Sequence, residues 1–163
     1  MATQSYAPRR RNVALTLLIN APEIVAGALL VLMSITVILQ VVFRYVVKAP
    51  ISWSEEVATF SFIWLSILSA ALGVKYGMHF SIEAVVKRFP MPVQRLLTVL
   101  TSLSVSGLLA ILIWFGLNLV MLNNTQISPA MGMPMSIPYL SVPVGCTLML
   151  IYLWTNVLRS LRS

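Results

Sequence analysis

No Asp, Glu, Lys, Arg or His stands anywhere from Leu96 to Leu158, and Ile24–Phe43 and Val57–Val74 are equally free of charge. An apolar run of about eighteen residues or more is long enough to cross a bilayer as a helix. In hydrocarbon only structures that satisfy their own backbone hydrogen bonds survive, so these runs predict membrane-spanning helices and exclude a soluble fold. Composition agrees: 9% of the residues are charged, where a soluble domain carries about a quarter.

The punctuation between the runs predicts an all-α polytopic protein forming one membrane domain over residues 1–163. Residues 1–11 read as a tail that is retained, because the apolar stretch after Arg9-Arg10-Arg11 runs on without a small-residue cleavage site. Asn20-Ala21-Pro22-Glu23 interrupts the hydropathy, which predicts a short interfacial helix over 12–21 and a first span over 22–45. Ala49-Pro50 breaks the chain. Ser52 and Glu55 have the spacing of a capping box at the head of a second span, 53–74. Residues 80–89 place Ile82, Val85, Val86 and Phe89 on one helical face with Glu83 and Lys87 on the other, as a surface helix does. Loop-forming residues from Asn123 to Pro134 divide the long uncharged run into a third span, 94–120, and a fourth, 137–158. Pro138 and Pro143 predict a kink near Tyr139.

The net charge of +7 is distributed by topology. Arg9, Arg10, Arg11, Lys75, Lys87, Arg88, Arg95, Arg159 and Arg162 collect on one side, against Arg44 and Lys48 on the other. The positive-inside bias then puts both termini and the middle loop in the cytoplasm, with basic residues near lipid headgroups. Basic residues that flank apolar spans form no nucleic-acid-binding face.

Inventory removes most catalytic chemistry. There is one His and one Cys, Cys146, and no Asp at all. Bis-histidine haem, a His-based metal cluster, an intrachain dithiol and a Ser-His-Asp triad therefore cannot be built. A stand-alone carrier would hold a strongly polar or ionisable group near the membrane midplane, and the middle of each span lacks Asp, Glu, Lys, Arg and His. Ser61, Ser66, Ser69, Ser102, Ser104 and Ser106 read as helix-contact residues. Trp64 and Trp114 read as packing aromatics. His79 reads as a cap or backbone-bonding residue on the cytoplasmic side.

Polar chemistry concentrates at the outer face, in Arg44-Tyr45 and Ser52-Trp53-Ser54-Glu55-Glu56. A helix cap explains Ser52, Trp53 and Glu55 but requires neither the second acid nor Arg44. An ion pair from Arg44 to Glu55 or Glu56, locking the first hairpin, is the expectation. Glu56 is the better candidate for a partner contact, because the cap does not use it.

With these residues the chain resembles the small membrane subunit (small permease protein) of tripartite ATP-independent periplasmic (TRAP) transporters. The motifs that carry the resemblance are Arg44-Tyr45, Trp53-Ser54-Glu55-Glu56, Trp64, Ser69-Ala70-Ala71-Leu72, Lys75-Tyr76-Gly77-Met78-His79 and Glu83, with Gln40 and Glu23. They span Glu23–Glu83, and Ser69 stands where such proteins commonly have Gly. The resemblance implies a non-catalytic subunit without cofactors. It would brace a large multispanning subunit that holds substrate and sodium, and help dock a periplasmic substrate-binding protein for organic acid uptake. Trp53, Glu55 and Glu56 would then lie at or beside a partner contact. A stand-alone oligomeric carrier and an assembly factor for another complex are the alternatives. The first relies on an acid within its first span, where this chain offers only Glu23 at the edge.

Overall fold

Long apolar runs with good helix formers and few breakers give four long helices. The computed structural model describes residues 13–77 and 90–162, with side chains over 20–77, 90, 93–94 and 96–159. They are α1 (Val13–Val42), α2 (Ser52–Lys75), α3 (Met91–Leu122) and α4 (Ser136–Arg162), and each contains a stretch long and apolar enough to cross a membrane. The tail 1–11, the surface helix expected over 80–89 and His79 lie outside the described residues.

The separate short helix expected over 12–21 is replaced by the first turns of α1, which runs through Pro22 without a break. The ring at Pro22 removes one backbone donor and leaves the Leu18 carbonyl without its i+4 partner. Apolar sequence on both sides keeps the helix going, as membrane helices with an interior proline do. α3 takes the opposite course at its start, with proline at the first turn, where no intrahelical donor is needed. Pro138 falls in the opening turn of α4 and Pro143 within it, and the helix continues past both.

The extensive contacts are α1 on α2, α2 on α4 and α4 on α3. Four helices joined this way stand in a row, α1–α2–α4–α3, instead of closing around a common centre. Burial follows that order: 33% of α4's apolar window is buried, against 11% for α1 and α3. The flanks accordingly turn Val31, Ile35 and Ile38 of α1, and Leu103, Trp114 and Phe115 of α3, outward. Faces this large and this apolar call for lipid or another protein to cover them.

Small residues at these contacts let helix backbones approach closely, with a few larger aliphatics packed among them. Ser61, Leu68, Ala71 and Val74 of α2 are buried, as are Ser141, Cys146 and Val157 of α4. Gly145 of α4 sits so tightly on α2 that an ideal Cβ there would lie 1.9 Å from Ile67 Cγ2. A Cβ at Gly116 of α3 would meet Pro143 Cδ at 3.0 Å. Of the serines read as helix-contact residues, Ser61 and Ser102 are buried while Ser66, Ser69 and Ser104 are exposed. Ser66 and Ser104 donate to carbonyls four residues back, at 2.8 and 3.0 Å.

Candidate functional site at the Arg44 end

The end of α1 is shaped by a change of helical pitch. Residues Phe43–Val47 form a π-helical turn, and Lys48 closes it at φ 57°. The left-handed conformation costs a non-glycine residue about 1–2 kcal/mol. It is held by backbone donors from Lys48 and Ala49 to the Phe43 carbonyl. This π turn ends α1 and carries Arg44 and Tyr45, both exposed.

The head of α2 differs from the sequence expectation. Ile51 is the N-cap, in extended conformation and with no side-chain cap bond. Ser52 is already helical, so the Ser52–Glu55 capping box does not form. Ser54 instead donates back to the Ile51 carbonyl at 2.7 Å and is fully buried. Glu55 is exposed, and its own carbonyl accepts from Thr59 at 2.8 Å. Trp53 and Tyr45 are exposed aromatics at adjoining helix ends, where interfacial aromatics belong.

Glu56 points to the connection between α3 and α4. That connection is a small hairpin: Ile127 pairs with Pro134, Ser128 N donates to Met133 O at 2.9 Å, and Met135 N to Gln126 O at 2.8 Å. Its tip closes with Gly132 N donating to Ser128 O at 3.0 Å, and Gly132 has φ +66°, which suits a residue without a Cβ. The tip aims three donors at one carboxylate. Ala130 N reaches Glu56 Oε1 at 3.0 Å, Met131 N reaches Oε2 at 2.9 Å, and the Ser128 hydroxyl bonds Oε2. A carboxylate that accepts from successive backbone amides and a hydroxyl makes charge-assisted bonds, stronger than neutral ones.

The expected Arg44 pairing is therefore not what the structure holds. Glu56 is taken by the hairpin, and Arg44 makes no ion pair with Glu55 or Glu56 among the described residues. The three side chains instead line one cavity of about 730 Å³, with Gln40, Ser52 and Thr59. Pro129 and Ala130 of the hairpin add another part of its wall.

At the opposite end an ion pair does join helices. Lys75 Nζ lies 2.6 Å from Glu23 Oε1, and the Tyr76 hydroxyl donates to the same oxygen at 2.5 Å. The Lys75 ammonium also stands 5.7 Å from the ring centres of Tyr76 and Tyr152, tying α4 to the cluster. The Glu23 hydrogen bond pushes the Tyr76 phenol above its ordinary range, with desolvation adding to the rise. Asn156 Nδ2 donates to Val74 O at 2.8 Å, a second link between α2 and α4. Sequence reasoning named Glu23 and Lys75 separately. Their opposite signs, on helix ends assigned to the same side, were the signal for pairing them.

Trp64 has a bonding role as well as a packing one: its indole N–H donates to Ile137 O at 3.2 Å, linking mid-α2 to the opening turn of α4. Trp114 is 69% exposed on the flank of α3. Ser69 lies on an exposed face of α2. Among the described residues no group of His, Cys, Asp and Glu is placed to hold a metal ion.

The comparisons with known proteins agree with one another. Residues 33–163 match the sequence model of the family described as "Tripartite ATP-independent periplasmic transporters, DctQ component". The chain is 31% identical over 149 residues to the isethionate TRAP transporter permease protein DctMQ of Oleidesulfovibrio alaskensis, covering 86% of the chain and 23% of that protein. It is 30% identical over 142 residues to a putative TRAP transporter small permease protein of Haemophilus influenzae, covering 87% of the chain and 88% of that protein. It is also 32% identical over 100 residues to the C4-dicarboxylate TRAP transporter small permease protein DctQ of Rhodobacter capsulatus, covering 60% of the chain and 44% of that protein.

Proposed function

The chain belongs to the DctQ-component family of TRAP transporters, the small permease subunits, and we propose that it works as the fixed support of such a transporter. Its two apolar flanks would pack against a large multispanning membrane subunit and lipid. That partner would carry the substrate and the coupling ion, expected to be sodium. The Arg44 end would face the periplasm of an inner membrane and help dock a soluble substrate-binding protein. Both chain termini would lie in the cytoplasm, as the basic residues at the Lys75 end suggest.

The observation that carries this reading is the open row of helices. A carrier needs a polar path enclosed across the bilayer. Here the four helices form a single layer with apolar flanks, and their central turns hold no Asp, Glu, Lys, Arg or His. Such a layer braces a neighbour well and encloses little. The substrate class rests on the relatives: isethionate and C4-dicarboxylates in two of their names support an organic acid. The cavity at the Arg44 end, with exposed Glu55 in its wall, and the exposed Tyr45 and Trp53 at the same helix ends support a contact surface there.

Purification of the tagged chain in mild detergent from its native membrane tests the proposal. A much larger multispanning protein should co-elute in equal amount. Recovery of self-oligomers alone would contradict it.

A further inference from the structure

The hairpin of residues 123–135 is long for a connection in a helical bundle, where about 2–8 residues suffice, and it carries no charge. Its own backbone bonds give it shape and tie its two ends to α3 and α4, through Asn123 N to Leu119 O and Ile137 N to Pro134 O, yet none of them reaches from the tip to a helix. What fixes the tip is the Glu56 carboxylate, gripping it through Ser128, Ala130 and Met131. We propose that Glu56 is a positioning residue: it latches the hairpin to the second turn of α2 and so presets the face on which the substrate-binding protein docks. The inference rests on the docking role proposed above and adds how that face is kept in shape.

Three features argue for this. The latch joins segments 72 to 75 residues apart, and through Pro129 and Ala130 it sets part of the wall of the cavity that Arg44 and Gln40 also line. It needs an acid specifically. Both carboxylate oxygens accept, and a Gln side chain offers one acceptor oxygen for the same donors. The latch also lies apart from the contacts that hold the row, which are α1 on α2, α2 on α4 and α4 on α3. Releasing it loosens the outer face and leaves the bundle standing. A face held in one conformation binds more tightly because ordering cost is removed beforehand.

The test uses Glu56→Gln in the purified pair of this chain with its large subunit, reconstituted in liposomes. The probe is the soluble binding protein of the same system, loaded with the solute that co-purifies with it. Amide exchange at Ala130 and Met131 should speed up about tenfold or more, as expected when a charged acceptor is lost. The binding-protein concentration giving half-maximal uptake should rise about threefold or more. Maximal uptake and the yield of the pair should stay at wild-type levels. Ser128→Ala, which removes one of the three donors, should move both readouts the same way and less far. Wild-type half-saturation in both variants, alongside fast exchange, would overturn the proposal while leaving docking intact. A fall in maximal rate that tracks a fall in yield would also overturn it, reducing Glu56 to a structural group. Wild-type uptake that ignores the binding protein would overturn the docking reading and the latch proposal together.

Discussion

Gly145→Ala is the substitution that most sharply probes the centre of the helix row. The added Cβ would lie 1.9 Å from Ile67 Cγ2 and 3.6 Å from the Ile67 carbonyl oxygen. Carbon atoms in contact prefer about 3.5–4.0 Å, so one of the two helices must retreat by roughly 1.6–2 Å or Ile67 must change rotamer. Ile67 is β-branched and stiff at χ1 in a helix. The methyl cannot swing aside cheaply. Overpacking of this kind costs about 1–3 kcal/mol, and in a chain of this size each kcal/mol lowers the melting temperature by about 2–4 °C. Thermal unfolding of the detergent-solubilised protein should therefore show a fall of several degrees. Ile67→Ala removes the clashing methyl, so the double variant should lose less than the two single losses added together, by about 1 kcal/mol or more. Gly27→Ala and Gly107→Ala are the controls. Nothing lies within 4 Å of a Cβ at either site, and alanine outranks glycine in a helix by up to about 1 kcal/mol. Both should leave the midpoint unchanged or raise it. A Gly145→Ala protein that melts with wild type, or strict additivity with Ile67→Ala, would refute the close α2–α4 contact.

Other outcomes follow from single bonds. Trp64→Phe keeps the packing but loses the indole bond to Ile137 O and should cost about 0.5–1.5 kcal/mol, read as a lower melting temperature. Asn156→Leu removes the bond to Val74 O; interhelical bonds of this kind average about 0.6 kcal/mol, so the loss should be the smaller of the two. Gly132→Ala forces a Cβ into φ +66° and should cost about 1–2 kcal/mol, with the change in amide exchange confined to the 123–135 hairpin. The Tyr76 phenol, raised by its bond to Glu23, keeps its proton in the folded state at pH values where an unfolded tyrosine ionises. Its contribution to stability is complete below the ordinary tyrosine range and is lost as pH rises toward the raised value. Glu23→Gln should bring that midpoint down in an absorbance titration referenced to Tyr76→Phe.

The four spans were legible because charge is so costly in hydrocarbon that its absence alone marks them. Local conformation was less so. Asn20-Ala21-Pro22-Glu23 has the composition of a break, yet α1 passes through it, because one lost donor is a smaller penalty than ending a helix among apolar neighbours. Ser52 and Glu55 have capping spacing, yet the helix opens one residue earlier than that box requires, at Ile51. The partner of Glu56 was the least readable feature. Arg44 is near in sequence and opposite in charge, which made it the natural expectation. The groups that hold Glu56 are two backbone amides and a hydroxyl more than 70 residues away, in a loop with no charge to announce them. Backbone donors leave no trace in a sequence until the turn that aims them is known. The row arrangement was likewise hidden, since apolar flanks and apolar cores have the same composition in a membrane protein.

The proposed role is that of a subunit that supports transport without performing it. Uptake of the co-purifying solute should be measured in liposomes holding this chain alone, the large subunit alone, or both, each with the loaded binding protein and an inward sodium gradient. Gradient-driven accumulation should occur only when both membrane subunits are present, with the lone chain indistinguishable from empty liposomes. Accumulation by this chain alone would contradict it.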